Sequence, residues 1–278
     1  MNKEEKNVLP PVEIIPPQIS SASQYIPPKQ SANALFNFMR KIDYLKLILK
    51  NKAIIPRYYE EYINYLGEDI PRIAYPMTCF CDINLQKLIP HTTLYGQYGI
   101  VFYKVWGIEN KIQPIHYINK NSHICEDFSL LFNRALETES NDEMFEGLKN
   151  YLLTHLLFMK PIDGKMKQLG EEKDLNFHDE REWRYVPNIY GMSTEMPLIV
   201  PPESLNPVAL NSLSEGLKNV EGAWLKFQYS NIKYLIVKDL HDQKELIQYI
   251  IEELSCKIDE KYDLISKILV LDELNEDW

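Results

Sequence analysis

GIVFYKVW, residues 99–106, is the stretch of this sequence that most clearly predicts a buried β-strand. Its β-branched and aromatic side chains suit a pleated surface that other elements cover. PIHYI (114–118) has the same character, and MTCFCDI (77–83) precedes both with Asp82 at its end. Each of these three segments is predicted to form a strand.

Strands and helices are interleaved irregularly around these segments. Further strands are predicted at ALFNFM (34–39), EREWRYV (180–186), LIVPPESL (198–205), KYLIVKD (233–239) and ISKILVLDEL (265–274). Apolar residues at helical spacing predict helices at 42–50, about 126–138, about 142–159 and 244–254, whereas 53–62 is predicted as a loop and 163–176 as a polar connection. Because regular β–α–β alternation is missing, we expect an α+β fold with a single mixed, mainly antiparallel sheet and flanking helices.

The first 30 residues differ from the rest of the chain. Their prolines come in pairs at 10–11, 16–17 and 27–28. Proline lacks the amide donor and restricts its neighbour, so residues 1–30 are predicted to form an extended or disordered tail. The isolated apolar residues there leave two interpretations open, a passive tail or a segment held by a partner. Residues 31–278 are predicted to form a single α+β domain.

Charge and composition argue against several classes of protein. The net charge is −10, and much of it comes from residues 242–278, which contain 11 acidic and 4 basic residues. Nucleic-acid binders usually carry a basic stripe, which this sequence lacks; nucleic acid as a partner is therefore not indicated by charge, although a local basic cleft stays possible. No apolar window or signal core is long enough for a membrane, so a cytoplasmic protein is predicted.

Known catalytic and metal-binding signatures are missing as well. The sequence has no GxGxxG, GxxxxGK[ST], HExxH or GxSxG pattern. Its four cysteines are too few and too irregular for a disulfide framework. Cys79 and Cys81 are interpreted as reduced thiols on one face of a buried strand, and no metal site is predicted.

The densest charged cluster is FHDEREWRYVP, residues 177–187. On a continuous strand Glu180, Glu182 and Arg184 would share one face, while Arg181, Trp183 and Tyr185 would share the other. Strands disfavour acidic residues, so two carboxylates about 7 Å apart beside an arginine indicate a functional site or a buried Arg–Glu network. Trp183 and Tyr185 are predicted to belong to the core.

Other candidates are single residues. Arg57 in PRYYE could bind an anion, or it could lie in an ordinary surface loop. His91 and Tyr95 are four residues apart, hence on one face of a helical turn, and the histidine could serve as an acid, a base or a ligand. His178 beside Asp179 could titrate near neutral pH. A nuclease-like metal site is a weaker alternative that needs Asp82, Glu180 and Glu182 to converge.

The order of segments resembles the AbiGi family of abortive-infection proteins. The resemblance covers roughly residues 31–270, and its most specific parts are CFCDI…H…YG…GIVF and DEREWR. It implies a role in phage resistance, as the antitoxin half of a toxin–antitoxin pair. The implied partner is a protein of the same defence system or a phage protein.

A second resemblance is to ADP-ribosyltransferase-like folds, which carry a catalytic glutamate on a late strand, sometimes as Glu-x-Glu. Glu180-Arg181-Glu182 matches that pattern and implies NAD as a substrate. Cleavage of the nicotinamide–ribose bond builds positive charge on the sugar, which a fixed carboxylate stabilises. The resemblance implies that Glu182 holds the ribose and Glu180 orients the acceptor, with His91 as a further catalytic candidate.

The same resemblance implies residues that would bind NAD. Arg57 would pair with the pyrophosphate. Asn37 stands where such folds place His or Arg on the first strand, and its amide could hydrogen-bond a ribose. Tyr95 and Arg184 are the remaining candidates for cofactor binding.

Overall fold

A computed structural model of the chain describes residues 31–67, 70–139, 142–168, 171–189, 192 and 194–276. The helices in these ranges are α1 (Ile42–Asn51), α2 (Leu88–Tyr95), α3 (Lys104–Glu109), α4 (His123–Glu137), α5 (Glu143–Leu157), α6 (Pro207–Gly216), α7 (Leu240–Glu252), α8 (Ile258–Ser266) and α9 (Leu271–Glu276). The strands are β1 (Ala34–Met39), β2 (Ala53–Ile54), β3 (Arg57–Tyr62), β4 (Arg72–Cys81), β5 (Tyr98–Tyr103), β6 (Gln113–Pro114), β7 (His116–Ile118), β8 (Met159–Pro161), β9 (Asp163–Gln168), β10 (Glu171–Asn176), β11 (Glu182–Tyr185), β12 (Leu225–Lys226), β13 (Ile232–Val237) and β14 (Ile268–Val270). The predicted tail, residues 1–30, lies outside the described residues, and the domain boundary near residue 31 stays a prediction.

One large sheet dominates the described part of the chain. Its strand order is β14-β13-β5-β1-β4-β11-β6, and β3 pairs with β4 beside this path. β13 and β14 are parallel, whereas the other neighbours are antiparallel. Helices α1 to α9 flank the sheet in no regular alternation with the strands. The prediction of an α+β fold with a mixed, mainly antiparallel sheet is confirmed.

The large sheet is covered on both faces. On one face Leu35 and Phe80 pack in a core with residues of α1 and α7. On the other face Phe36 and Cys81 pack with Leu88 of α2. Further along β4, Tyr75 lies in a third cluster beneath α4 and α5. A charged side chain beneath this cover therefore cannot reach bulk water and must find its partners within the protein.

The helices predicted from apolar spacing are present, with ends that differ by a few residues. The strand predicted for residues 99–106 is wrong over its last part, because β5 ends at Tyr103 and α3 begins at Lys104. Trp106 stacks on Phe102 with the ring centroids 4.1 Å apart. A contact between residues four apart needs a helical turn, not an extended chain. The aromatic run therefore supplies core residues to a strand and a helix in succession.

Two segments predicted to lack strands contain them. The predicted loop at 53–62 includes β2, and β3 pairs with β4 from Arg57↔Met77 to Tyr62↔Arg72. The polar connection at 163–176 forms the antiparallel hairpin of β9 and β10. Both strands of that hairpin are largely polar, so hydrophobic alternation, the usual sequence signal of a strand, is weak there.

Two predicted strands are shorter than expected. In LIVPPESL only the bridge between Val200 and Ala74 forms, because the prolines that follow cannot donate to a ladder. In ISKILVLDEL, helix α8 continues to Ser266, β14 covers Ile268–Val270, and α9 follows directly.

Candidate functional site

The charged segment around β11 does not form one continuous strand. Residues Phe177–Glu180 form a 3-10 turn, and β11 starts at Glu182. Between them, Arg181 has a φ of 46°, in the left-handed region. The predicted strand is therefore wrong at Glu180 and Arg181, since a left-handed residue breaks the alternation of side chains. Glu180 and Glu182 come from different local structures.

Within β11 the predicted faces are correct. Glu182 pairs with Cys81 and Arg184 with Cys79, so these side chains share one face of the sheet. Trp183 and Tyr185 pack against the main core on the other face. Arg184 has no exposed surface, and Glu182 is 6% exposed. The face predicted to be functional is buried.

The guanidinium of Arg184 binds four different residues. Its Nε and Nη2 atoms each lie 2.8 Å from Oε1 of Glu182. Nη2 also lies 3.2 Å from Oε1 of Glu61. Nη1 donates to the backbone oxygen of Leu157 at 2.8 Å and to the hydroxyl of Tyr75. The donors of this buried cation are thus directed at acceptors of β3, β4, β11 and the end of α5.

Lys160 on β8 joins the two glutamates of the Glu-x-Glu motif. Its ammonium lies 3.0 Å from Oε2 of Glu180 and 3.3 Å from Oε2 of Glu182. It also lies over the ring of Phe177, 4.2 Å from the centroid. We call Glu61, Lys160, Glu180, Glu182 and Arg184 the ionic cluster. Three carboxylates surround two cations in it, and Lys160 itself is 9% exposed.

Tyrosine hydroxyls complete the coordination of the cluster. Tyr95 of α2 donates to Oε1 of Glu180. The hydroxyl of Tyr117 on β7 accepts the backbone N–H of Glu182 at 2.7 Å. The ring of Tyr117 packs edge-on against His178, with the centroids 5.1 Å apart. Polar partners therefore come from both helices and strands around β11.

The charges of the ionic cluster set the protonation states of Glu182, Lys160 and the neighbouring Cys79. Burial opposes ionisation of Glu182, but the neighbouring Arg184 and Lys160 outweigh it and lower the pKa of this carboxyl to about 2. Burial also disfavours the charged form of Lys160, yet the carboxylates of Glu182, Glu61 and Glu180 raise its pKa well above the usual value. Burial raises the pKa of the Cys79 thiol, and the charge of Glu182 raises it further. Glu182 and Lys160 are an ion pair at neutral pH, and Cys79 is an uncharged thiol.

His91 and Tyr95 lie on one face of α2, next to Glu180. Their ring centroids are 6.0 Å apart. Burial lowers the pKa of His91, although hydrogen bonding and charge from Glu180 act in the opposite direction. His91 is therefore a neutral imidazole at pH 7. A neutral histidine at the edge of the cluster can accept a proton.

Two of the residues suggested by the transferase resemblance lie elsewhere. Phe36 and Glu182 both pair with Cys81, so they share a face, and Asn37 projects from the opposite face. The Asn37 amide donates to the backbone oxygen of Cys79 at 2.9 Å. Arg57 binds Asn211 at 2.9 Å and Glu215 at 3.5 Å, both on α6.

The sequence-predicted residues thus divide into two groups. Those that meet at or beside the ionic cluster are Glu180, Glu182, Arg184, His91 and Tyr95. Asn37 and Arg57 make their contacts outside it. The sequence patterns did not predict two members of the cluster, Lys160 and Glu61, or its hydrogen-bond partners Tyr75 and Tyr117. Lys160 had a usable signal, because it is one cation within the apolar run LLFMKPI.

The carboxylates of the nuclease-like hypothesis do not form one group. Asp82 binds Lys104 at 2.6 Å, and the ammonium of Lys104 lies 5.4 Å from the ring centroid of Trp183. Trp183 and Glu182 are on opposite faces of β11, so Asp82 is paired on the side of the sheet away from Glu182. Within the described residues, another acidic group, Asp239 with His241 and Asp242, lies at the start of α7. There Asp239 accepts the backbone N–H groups of the other two residues, as a helix N-cap does.

Comparison with known proteins places the chain in a family. A family model described as "Putative abortive phage resistance protein AbiGi, antitoxin" matches residues 51–238. The chain is also 36% identical over 254 residues to "Abortive phage resistance protein AbiGi" of Lactococcus lactis subsp. cremoris, which covers 81% of this chain and 100% of the relative. The chain belongs to the AbiGi family. No solved structure matches it.

The AbiGi resemblance seen in the sequence is therefore confirmed, and it assigns the chain to phage resistance. Every member of the ionic cluster lies within the matched range 51–238, whereas Asn37 and helices α7 to α9 lie outside it. The likeness to ADP-ribosyltransferase folds stays a prediction. Within the described residues, each helix is too short or too polar to cross a bilayer.

Proposed function

We propose that this AbiGi-family chain protects against phage as an antitoxin, by binding a partner protein, and that NAD chemistry is not needed for this activity. The description of the matching family as an antitoxin supports the first part, and the engagement of Glu182 carries the second. Its Oε1 atom is bound by Arg184 and its Oε2 atom by Lys160, in a site where the side chain is 7% exposed. The most conspicuous charged motif of the sequence thus supports the fold.

A transferase glutamate works differently. It must present a carboxylate edge to the ribose, so that negative charge stands beside the developing positive charge. To do so, Glu182 would have to leave at least one buried cation, and an unpaired buried charge costs several kcal/mol. The positions of Asn37 and Arg57, bound to Cys79 and to α6, add to this argument.

A toxin-neutralisation assay tests the proposal. The gene next to that of this chain is taken as the toxin gene and is induced in bacteria, with and without the chain. Growth and co-purification are measured. We expect the wild-type chain to restore growth and to co-purify with the toxin. Glu180→Gln, which keeps the size of the side chain and leaves Glu182 in place, should protect equally well. Loss of protection in a variant that still folds and binds would contradict a purely binding role.

ADP-ribosyl transfer from NAD is the second candidate function. The observation in its favour is the convergence of His91, Tyr95, Glu180 and Glu182 from α2 and the segment around β11. In this reaction the bond between ribose C1′ and the nicotinamide nitrogen breaks, and nicotinamide leaves with the electron pair. An acceptor nucleophile then bonds to C1′ and gives its proton to a base, a role for Glu180.

The two candidates predict opposite results in an NAD assay. Purified wild type is incubated with NAD, alone and with the toxin, and released nicotinamide is quantified. Under the binding proposal, nicotinamide stays at the level of a no-enzyme control. Under the transferase candidate, wild type releases nicotinamide, and Glu180→Gln and Tyr95→Phe release markedly less. Turnover by wild type that Glu180→Gln abolishes would replace the binding proposal.

A further inference from the structure

Helix α5 carries apolar side chains on its buried face and on the exposed flank next to that face. Leu152, Leu156 and Leu157 are buried against the rest of the protein. Met144 is 82% exposed, Leu148 36% and Tyr151 58%. At 100° per residue the exposed side chains form one stripe on the solvent side, since they recur at intervals of four and three. An ordinary surface helix carries polar residues there.

The neighbouring helix α4 also carries exposed apolar side chains. Its buried face consists of Cys125, Phe128, Phe132 and Ala135. Leu130, 55% exposed, lies on the opposite side of the helix. The flanks of α4 carry further exposed apolar residues, namely Ile124, Leu131 and Leu136. Neither helix needs these side chains to pack on the domain.

The exposed apolar residues lie on two adjoining helices. α4 and α5 contact each other and pack on the same buried cluster, so their solvent sides adjoin. We call the exposed apolar residues of the α4–α5 helical hairpin the hairpin surface. They are Ile124, Leu130, Leu131, Leu136, Met144, Leu148 and Tyr151. Single exposed apolar residues are normal on a protein, but seven of them on two adjoining helices indicate a site of interaction.

Charge indicates which kind of partner fits. Residues 123–157 contain seven acidic residues (Glu126, Asp127, Glu137, Glu139, Asp142, Glu143, Glu146) and two basic ones (Arg134, Lys149). Lys149 is itself paired with Glu146 at 3.5 Å. The two helices and their connection are therefore net negative. Such a negatively charged region attracts a partner with basic residues around an apolar centre and repels acidic ones.

We propose that the hairpin surface docks a basic, amphipathic surface of the toxin encoded with this chain. This inference rests on the proposed antitoxin function and names the surface that performs it. The acidic C-terminal part of the chain is the competing surface, with Leu240, Ile251, Ile258 and Tyr262 exposed on α7 and α8. Residues 123–157 lie within the range 51–238 that the AbiGi model matches, whereas α7 and α8 lie beyond it. A surface that serves an activity common to the family is expected inside the matched range.

A binding experiment with matched double variants tests the inference. The full-length chain and the purified toxin are titrated by calorimetry, at low and at high salt. Leu148→Lys with Tyr151→Lys removes apolar contact and adds charge that a basic partner avoids. Ile251→Lys with Ile258→Lys makes the same change on the C-terminal surface. We expect the first pair to weaken binding at least tenfold, as loss of interface anchors does, and the second pair to bind like wild type.

The outcomes separate the inference from the proposed function. If wild type does not bind the toxin, the antitoxin proposal fails and the inference fails with it. If wild type and the Leu148→Lys/Tyr151→Lys variant bind the toxin equally well, the hairpin surface is not the interface, while the antitoxin proposal stands. Loss of binding in the Ile251→Lys/Ile258→Lys variant would place the interface on α7 and α8 instead.

Gel filtration of the free chain gives a further check. If the chain is a dimer and the Leu148→Lys/Tyr151→Lys variant is a monomer, a second copy of the chain, not the toxin, occupies the hairpin surface.

Discussion

The ionic cluster and the hairpin surface reverse the usual distribution of polar and apolar groups. Arg184, Glu182 and Lys160 are charged, yet at most 9% of each residue is exposed. Met144 and Tyr151 are apolar or aromatic, yet more than half of each is exposed. The difference teaches where each region finds its partners. The charges are satisfied within the chain, whereas the hairpin surface is suited to a partner from outside.

The two regions also differ in what their removal would cost. A buried ion pair gains little over a well-packed apolar pair, but loss of one partner leaves a charge without compensation. An exposed apolar side chain contributes little to folding, because it is exposed to water in the folded and unfolded states alike. The cluster should therefore control stability, and the hairpin surface should control association.

Replacement of Arg184 should give the largest effect on stability. Arg184→Met keeps much of the side-chain volume but leaves the carboxylates of Glu182 and Glu61 without their guanidinium. We expect the free energy of unfolding to fall by about 3–5 kcal/mol, measured by urea denaturation at neutral pH. Arg57→Met is the matched control: the side chain is 43% exposed, and its ion pair should be worth less than about 1 kcal/mol. Equal losses in both variants would contradict a closed, stabilising cluster.

The pH dependence of stability should reveal the same cluster, with a somewhat smaller effect. The pKa of Glu182 falls from the ordinary 4.5 to about 2 on folding. Since the unfolded chain binds the proton more readily, this contribution is full above pH 4.5 and is lost as the pH falls towards 2. The shift corresponds to a loss on the order of 3 kcal/mol.

Glu182→Gln provides the comparison for this pH effect. The variant should be less stable than wild type at neutral pH, and the gap should narrow as the pH is lowered through the window from 4.5 to 2. Urea midpoints recorded across that window measure the gap. A gap that stays constant would mean that Glu182 is not held ionised by Arg184 and Lys160.

The sequence predicted the fold class and the family better than the site. The strands at ALFNFM, MTCFCDI and KYLIVKD are present because hydrophobic, β-branched and aromatic side chains favour buried strands whatever their neighbours. The partners of the cluster were harder to predict. Lys160 and Glu182 are 22 positions apart and belong to different strands, and Glu61 is farther still. Their contact depends on the order of strands in the sheet, which local patterns do not encode.

The charged motif itself shows where pattern reasoning failed. Alternation placed Glu182 and Arg184 on one face correctly, because β11 is regular there. The same rule failed at Glu180, where the left-handed backbone of Arg181 changes the direction of the chain. Asn37 could not be assigned to a face relative to Glu182 without the register of β1, β4 and β11. Exposure of the hairpin surface was equally hidden, because helical spacing places Leu148 and Leu152 on one face although only Leu152 is buried.

Substitutions on the hairpin surface should give the smallest effect on stability. Met144→Ser and Tyr151→Ser change side chains that contact water, so the free energy of unfolding should shift by no more than about 0.5 kcal/mol. Leu152→Ala on the buried face of the same helix is the matched control and should cost about 2–5 kcal/mol. If the outward variants cost as much as Leu152→Ala, the stripe packs within the chain and cannot be free for a partner. A small effect on unfolding together with lost toxin binding would separate the two roles of α5, because folding would then depend on one face and association on the other.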